Sequence, residues 1–151
     1  MIQLTYTSLA SANFGMSDIQ EIMRKAEKFN GENEITGCLL LYNRRFIQIL
    51  EGEKEIIENL YSKIKQDKKH SNVNLLGTNE TSTRIFPKWV MAFKEINDSH
   101  LGQLTGTLFE ENLIGFSEIT KKPTLATRVF WEKVVEVIKI QKIIPLNISL
   151  N

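Results

Sequence analysis

Hydrophobic positions along this chain follow two different spacings, and the change from one to the other predicts its elements. Residues 2–7 alternate, which places Tyr6 on the apolar face of a first strand. From Ser17 the apolar residues recur at helical spacing, and Gln20 stands three residues later in the reciprocal capping position. A first helix is therefore predicted, with Gly31 as its natural end. Its buried stripe comprises Ile19, Ile22, Met23, Ala26 and Phe29.

The next apolar segments predict a hairpin and a second helix. Residues 35–41 are strongly apolar, and a turn at Asn43-Arg44 returns the chain antiparallel into a third strand at 45–50. From Lys54 to about Lys68 the spacing is helical again. The residues predicted to face inward from this helix are Ile56, Ile57, Leu60, Tyr61 and Ile64.

Two more strands and a C-terminal helix complete the pattern. Residues 73–77 predict a fourth strand, and residues 89–96 a fifth that follows Pro87. The strand-helix-strand-strand-helix-strand order is ferredoxin-like, so we predict an α+β fold (βαββαββ) whose five-stranded sheet carries both helices on one face. The helical spacing of residues 125–141 has apolar positions over a wide arc. We expect that helix to cover the other face of the sheet or to meet another chain.

The regular pattern weakens after Asn97-Asp98, where glycines are scattered through a weakly periodic segment. We therefore divide the chain into a core at residues 1–97 and a helical extension of the same domain at residues 98–151. A chain of 151 residues is a common size for one domain.

Composition and charge exclude several classes of protein. A hydrophobic content of 42% with 25% charged residues is ordinary for a globular protein. The net charge of +1 does not favour nucleic-acid binding, and the interrupted basic run at 63–69 is typical of a solvated helix end. Cys38 is the only cysteine, which excludes an internal disulfide. With no signal-peptide pattern and no bilayer-spanning apolar run, we expect a cytoplasmic protein without membrane binding.

The residue patterns of common enzymes are missing. No glycine-rich loop has the spacing of a dinucleotide or phosphate loop, and no cluster has the spacing of a metal site. His70 and His100, the only histidines, are expected to be structural or exposed. Glu51 and Glu53 flank Gly52, and we expect them to cap or charge the following helix rather than act as a catalytic pair. We therefore expect neither an enzyme nor a metal-binding protein.

Gln48 is the most informative polar residue, because it interrupts the apolar third strand. A buried amide without a partner costs roughly 1–3 kcal/mol, so Gln48 needs one. In a ferredoxin-like sheet the first and third strands are neighbours, so Tyr6 and Gln48 can face one space between the two helices. The structural alternatives are an edge-strand amide in water, a core amide paired to backbone, and a core tyrosine with a satisfied hydroxyl.

A tyrosine beside an amide suits an aromatic cofactor. The phenol can give up an electron and a proton, and the amide can donate to one neighbour while accepting from another. Asn30 at the end of the first helix, and Trp89 with Met91 on one face of the fifth strand, extend this set. Their structural alternatives are a helix cap, a core aromatic residue and a core filler.

Five short motifs together resemble the BLUF family of blue-light sensors that use a flavin. They follow the family's order over roughly residues 1–97, and the tail resembles the two-helix extension of its short, stand-alone members. The motifs are Leu4-Thr5-Tyr6-Thr7-Ser8, Asn30 with Ile35-Thr36-Gly37, Phe46 to Glu53, Asp67 to Ser71, and Phe86 to Met91.

The resemblance implies roles for individual residues. Tyr6 would be the photochemical donor of an electron and a proton. Gln48 would connect the Tyr6 hydroxyl to N5 and O4 of the flavin. Asn30 would bind the pyrimidine edge of the ring. The other flavin-binding positions implied are Ile22, Lys63, Ile64, Asp67, Lys69 and His70.

The resemblance also implies a signal relay around Gln48 that consists of Ser8, Trp89 and Met91. The family often has arginine at the positions of Lys63 and Lys69. Lysine keeps the charge but lacks the planar fork that binds phosphate through two hydrogen bonds.

Three hypotheses follow from the sequence. The first is a blue-light photoreceptor that binds FAD, FMN or riboflavin noncovalently and signals to a downstream protein partner or a homo-oligomer interface. The second is a light-independent ferredoxin-like module for ligand binding or protein interaction. The third is a small flavin enzyme.

Overall fold

A computed structural model describes residues 1–94 and 121–141 of the chain and shows a sheet with helices on both faces. The four strands β4-β1-β3-β2 are antiparallel in that order, and β5 is added parallel to β2 at the edge. The predicted α+β class is therefore confirmed. The elements are β1 (Ile2–Ala10), α1 (Met16–Glu32), β2 (Thr36–Tyr42), β3 (Arg45–Gly52), α2 (Lys54–Gln66), β4 (His70–Glu80), β5 (Trp89–Lys94) and α3 (Leu125–Gln141).

The alternation of β3 separates two hydrophobic cores. Phe46 and Leu50 pack on the face that α1 and α2 cover, whereas Ile47 and Ile49 pack on the opposite face. The second face is covered by α3, as its wide apolar arc predicts. The α3 residues in that core are Ala126, Phe130, Trp131, Val134 and Val135.

The extension is only partly described. The predicted bounds of α3 agree with the structure, but the proposed division between residues 97 and 98 and the histidine His100 lie outside the described residues. The same is true of the last two residues of the predicted fifth strand.

The bounds of α1 differ from the prediction at both ends. The helix begins at Met16 after the N-cap Gly15, and the Asp18 carboxylate, not Gln20, accepts a hydrogen bond from the Gly15 N–H at 2.8 Å. The helix also continues through Gly31 to Glu32, because Gly31 keeps a helical conformation. The left-handed residue after the helix is Glu34, at φ 52°.

The other predicted elements differ from the structure mainly in length. The hairpin between β2 and β3 turns at Asn43 and Arg44, whose φ values of 45° and 64° are those of a type I′ turn. Asp67 caps α2, which ends one residue earlier at Gln66. Strands β1 and β4 are longer than predicted because they pair with each other over nearly their full lengths.

Gly37 is required where β2 approaches β3. Its φ is +141°, and a Cβ at this position would lie 2.0 Å from the backbone oxygen of Ile49. No other residue type can occupy this position without moving the neighbouring strand.

Glu51 is a buried acceptor and does not charge the helix, so that expectation was wrong. Strand alternation turns its side chain toward the α3 face, where it is fully buried. Its carboxylate accepts from Gln3 Nε2 at 2.9 Å, Thr36 Oγ1 at 3.1 Å, and the Ile85 and Phe86 N–H groups, both at 2.8 Å. These four donors match the four lone pairs of a carboxylate. Glu51 thus ties the segment before β5 to the centre of the sheet.

The hydrogen bonds continue from Glu51 to the start of α3. Gln3 Oε1 accepts from Asn79 Nδ2 at 3.0 Å and from Thr124 Oγ1 at 2.7 Å. Asn79 Oδ1 accepts from the Ala126 N–H at 2.9 Å, and Thr5 Oγ1 donates to the Ala126 carbonyl at 2.8 Å. These contacts hold the first turn of α3 at one position on the sheet.

The expectation for Glu53 is confirmed, since its carboxylate caps α2 by accepting from the Ile56 N–H at 3.1 Å. The two glutamates therefore form a matched pair for a stability measurement. Glu51→Ala leaves buried donors without an acceptor and should lower the free energy of unfolding by about 3 kcal/mol or more. Glu53→Ala removes an exposed cap and should cost about 1 kcal/mol. Urea unfolding of both variants would contradict this if Glu51→Ala cost no more than Glu53→Ala.

Candidate functional site

A cavity of about 540 Å³ lies between α1, α2 and the sheet. This volume is within the range of small-molecule and cofactor sites. Nine residues were predicted to bind a flavin, and all of them border this cavity: Tyr6, Ile22, Asn30, Gln48, Lys63, Ile64, Asp67, Lys69 and His70.

Tyr6 and Gln48 meet at the inner wall of this cavity. They are directly opposite in the β1–β3 register, and Tyr6 Oη donates to Gln48 Oε1 at 2.6 Å. Both side chains are buried. This confirms the predicted adjacency of the phenol and the amide.

The other end of the Gln48 amide is open to the cavity. Its carbonyl oxygen accepts from Tyr6, and no other hydrogen bond of the Gln48 side chain is found among the described residues. The amide nitrogen is therefore available to an acceptor atom on a ligand.

The environment of Tyr6 keeps its phenol neutral. Burial raises the pKa of Tyr6 far above its ordinary value, and Tyr61 and Asp67 raise it further. The Tyr61 ring packs against it with 5.6 Å between ring centroids. A neutral phenol at this position can still donate its proton to Gln48.

Asn30 lies in the last turn of α1, so its predicted place at the end of the first helix is confirmed, but it is not the helix cap. Its backbone carbonyl accepts from the Ile35 N–H at 2.8 Å, and the C-cap role belongs to Asn33. The Asn30 side chain is buried and borders the cavity, and no described residue hydrogen-bonds its amide. A polar ligand atom would satisfy this amide.

The three predicted relay residues occupy different places. Trp89 borders the same cavity as Gln48, and its buried Nε1 has no hydrogen-bond partner among the described residues. Met91 is buried against a neighbouring cavity of about 720 Å³, which Trp89 also borders. Ser8 does not border this cavity, and its Oγ lies 2.9 Å from Nδ1 of His70, which does border it.

His70 is half-buried at the start of β4, and its ring is part of the cavity wall. Burial lowers the pKa of His70, and the nearby Asp67 opposes that shift. The ring meets Phe46 edge-on, with 5.7 Å between centroids. The imidazole thus stands between Ser8 and the cavity.

Several cavity residues were not predicted from the sequence. Leu39 and Phe46 project from the strands, and Leu60 and Ala26 from the helices, so their apolar periodicity marked them only as core. Glu21 and Lys25 border the cavity as well and were not selected. The separation of four residues between Glu21 and Lys25 is the pattern of a helical ion pair, and it was the available signal.

Three charged residues that border the cavity, Glu21, Lys25 and Lys69, form ion pairs. Glu21 contacts Lys25 Nζ at 2.5 Å and Lys69 Nζ at 2.6 Å, and Asp18 lies 3.8 Å from Lys69 Nζ. Lys63 Nζ lies 5.8 Å from the centre of the Phe29 ring.

Neither a metal-binding cluster nor a membrane-spanning helix is found in the described part of the chain. Residues 1–94 and 121–141 contain no group of three or more His, Cys, Asp or Glu side chains that could hold a metal ion. None of the helices in those ranges is long and apolar enough to span a membrane.

Comparison with protein families shows a match over the part of the chain that forms this cavity. Residues 1–92 match the family described as BLUF, sensors of blue light using FAD. The chain belongs to the BLUF family. The resemblance in its motifs is thereby confirmed, and the cavity of this BLUF domain lies wholly within the matched residues.

The curated relatives of this BLUF domain are much larger proteins. Over 89 residues the chain is 38% identical to the photoactivated adenylate cyclase subunit beta of Euglena gracilis and 39% identical to that of Euglena longa. The matches cover 58% of this chain and 10% of each relative. The chain therefore spans about a tenth of the length of these relatives.

Solved structures show the same fold. A bacterial light-regulated adenylyl cyclase is 31% identical, with a TM-score of 0.59 over 87% of this chain and 39% of the other. The photo-activated state of BlsA is 25% identical, with a TM-score of 0.61 over 89% of this chain and 94% of that one. The dark-state BLUF protein BlrB, at 23% identity and a TM-score of 0.59, supports the fold alone.

The raised pKa of Tyr6 predicts its behaviour in an alkaline titration. The chain has three tyrosines, and Tyr6 should not ionise in the folded protein between pH 9 and 11. Ultraviolet absorbance of the native wild type and of Tyr6→Phe should therefore rise equally over that range. In concentrated urea the variant should lose the signal of one tyrosine.

The same shift has a consequence for stability. Unfolded Tyr6 loses its proton near pH 10 and folded Tyr6 keeps it, so the free energy of unfolding should fall as the pH rises above 10. In the alkaline titration, a smaller absorbance change in native Tyr6→Phe than in the native wild type would contradict the raised pKa of Tyr6.

Proposed function

We propose that this BLUF domain binds a flavin noncovalently in the cavity between α1 and α2 and converts blue light into a changed hydrogen-bond pattern at Gln48. One observation carries the proposal. The Tyr6 hydroxyl donates to Gln48 Oε1 at 2.6 Å, and Gln48, which borders the cavity, forms no other side-chain hydrogen bond among the described residues. A phenol and a ligand are thus connected through a single amide.

The remaining wall of the cavity fits a planar heteroaromatic ring. Ile22 of α1 and Ile64 of α2 supply apolar contacts from two helices, and Leu39 supplies one from the sheet. The Asn30 amide offers both a donor and acceptors, as the polar edge of a pyrimidine ring requires. FAD, FMN and riboflavin share this ring, and FAD is the cofactor in the family description.

The residues of the chain then have distinct roles. A bound flavin supplies absorption of blue light and an acceptor for one electron. Tyr6 would be the donor of that electron and would release its Oη proton toward Gln48. The Gln48 side chain would rotate or change tautomer, and Tyr6 would recover both its electron and its proton. No substrate is consumed, and the chain acts as a sensor and not as an enzyme.

The altered amide is the signal. Trp89 borders the same cavity, and its Nε1 lacks a partner among the described residues, so it can respond to a new acceptor on Gln48. Trp89 and Met91 belong to β5, and the segment leading into β5 is tied through Glu51 to the sheet that carries α3. Ser8 acts through its contact with His70.

The signal passes to a protein partner or to a second copy of the chain, which binds at the C-terminal extension. Support comes from relatives that match this chain over 89 residues and are named photoactivated adenylate cyclase subunits. A sensor changes its partner only through contacts that differ between its two states. The partner surface must therefore include residues whose position depends on the state of Gln48.

Colour tests the proposal directly. Purified protein reconstituted with FAD should be yellow, and brief blue illumination should shift its flavin band to the red and allow it to revert in darkness. The proposed function would be contradicted if the protein took up no flavin, or if its flavin band showed no reversible shift. Flavin binding without the shift would leave the light-independent ligand-binding module.

Gln48→Ala should bind flavin but show no red shift, because the connection between Tyr6 and the ring is removed. Gln66→Ala is the matched control, since Gln66 is an exposed amide at the end of α2 and outside the cavity. The absorbance difference between lit and dark states measures both variants. A normal red shift in Gln48→Ala would show that the switch lies elsewhere.

Asn30→Ala should weaken flavin binding roughly tenfold, because the polar edge of the ring loses a buried hydrogen-bonding partner. Asn59→Ala provides the same substitution at an exposed position of α2 and should bind as the wild type does. Titration of flavin fluorescence gives both dissociation constants. Equal values for the two variants would argue against contact between Asn30 and the ring.

A further inference from the structure

The open side of the cavity is marked by charged side chains. Glu21, Lys25 and Lys69 border the cavity, and their side chains are 38%, 63% and 34% exposed. Tyr6 and Gln48, by contrast, are buried at the inner wall. A flavin whose ring lies beside Gln48 would direct its ribityl tail, and any phosphate on it, toward this charged side.

Glu21 binds two of the three lysines that border the cavity. One carboxylate oxygen lies 2.5 Å from Lys25 Nζ, and the other lies 2.6 Å from Lys69 Nζ. Hydrogen bonds from Lys25 and then Lys69 lower the pKa of the Glu21 carboxyl to about 2. The carboxylate is therefore charged throughout the neutral range.

A carboxylate and a phosphate compete for the same ammonium groups. We propose that Glu21 is a specificity determinant that weakens the binding of phosphate-bearing flavins relative to riboflavin, by occupying Lys25 and Lys69 and repelling a second anion. The inference rests on the proposed function, since it requires that the cavity bind a flavin. Affinity would then come mainly from the ring, with little discrimination by the tail.

Lys63 limits the size of the effect. Its ammonium lies over the Phe29 ring and forms no ion pair with an acid of the described residues. Some attraction for phosphate therefore remains in the wild type. Glu21 is expected to reduce the preference for FMN and FAD and not to abolish their binding.

The test compares three flavins on the full chain after its flavin has been removed. Riboflavin, FMN and FAD share one ring and differ in phosphate, so fluorescence titration with each separates the ring from the tail. Glu21→Gln keeps the size of the side chain and removes its charge. The dissociation constants of FMN and FAD should fall roughly three- to tenfold, and that of riboflavin should change less than about twofold.

Salt provides a second readout that a purely structural role of Glu21 would not move. The gain for FMN and FAD should be largest at low ionic strength and should nearly vanish at 1 M salt, where the screening length is only about 3 Å.

Two further variants locate the effect. Glu27→Gln removes the same charge from an exposed position of α1 that does not border this cavity, and it should leave the ratio of FMN to riboflavin affinity unchanged. Adding Lys69→Gln to Glu21→Gln should reverse at least part of the FMN gain, because it removes one of the two ammonium groups that were set free.

The outcomes separate the inference from the proposed function. If the wild type binds none of the three flavins, the proposed function fails and the inference fails with it. If the wild type binds riboflavin but Glu21→Gln leaves the FMN-to-riboflavin ratio unchanged, the inference alone is overturned. An equal change in Glu27→Gln would likewise overturn it, by assigning the effect to net charge.

Discussion

The site depends on the antiparallel pairing of β1 with β3 at the centre of the sheet. This register sets Tyr6 directly opposite Gln48, close enough for a hydrogen bond of 2.6 Å. A slip of one residue would turn one of the two side chains to the opposite face. The slip is prevented because both faces of β3 are buried, each against its own helices.

The same two strands serve both faces of the sheet. On one face they present Tyr6 and Gln48 to the cavity, and on the other they present Gln3 and Glu51 to the start of α3. Glu51 follows Gln48 by three residues and holds the segment that leads into Trp89. The cavity and the C-terminal helix are therefore positioned by the same pair of strands.

Much of the fold could be predicted, because long periodic segments constrain both element type and buried face. The hairpin, the packing of α3 and the meeting of Tyr6 with Gln48 are examples. The ends of the elements were harder to predict from the sequence. Gly31 is also compatible with a helix, and Asp18 competes with Gln20 for the same cap. Six of the nine predicted cavity residues were selected only by resemblance to a family. The residue pattern also pointed to Tyr6, Asn30 and Gln48, but it left a structural alternative open for each of them.

The sequence by itself determined the α+β class, the apolar faces and the placement of Tyr6 and Gln48 on neighbouring strands. Only the tertiary structure decided the partners of the polar groups. Glu51 was expected to cap or charge a helix and is a buried acceptor for four donors, and Glu21, for which nothing was predicted, pairs with two lysines beside the cavity. The reason is physical: periodicity follows local backbone geometry, whereas a hydrogen bond or an ion pair depends on which distant segments the fold brings within about 3 Å.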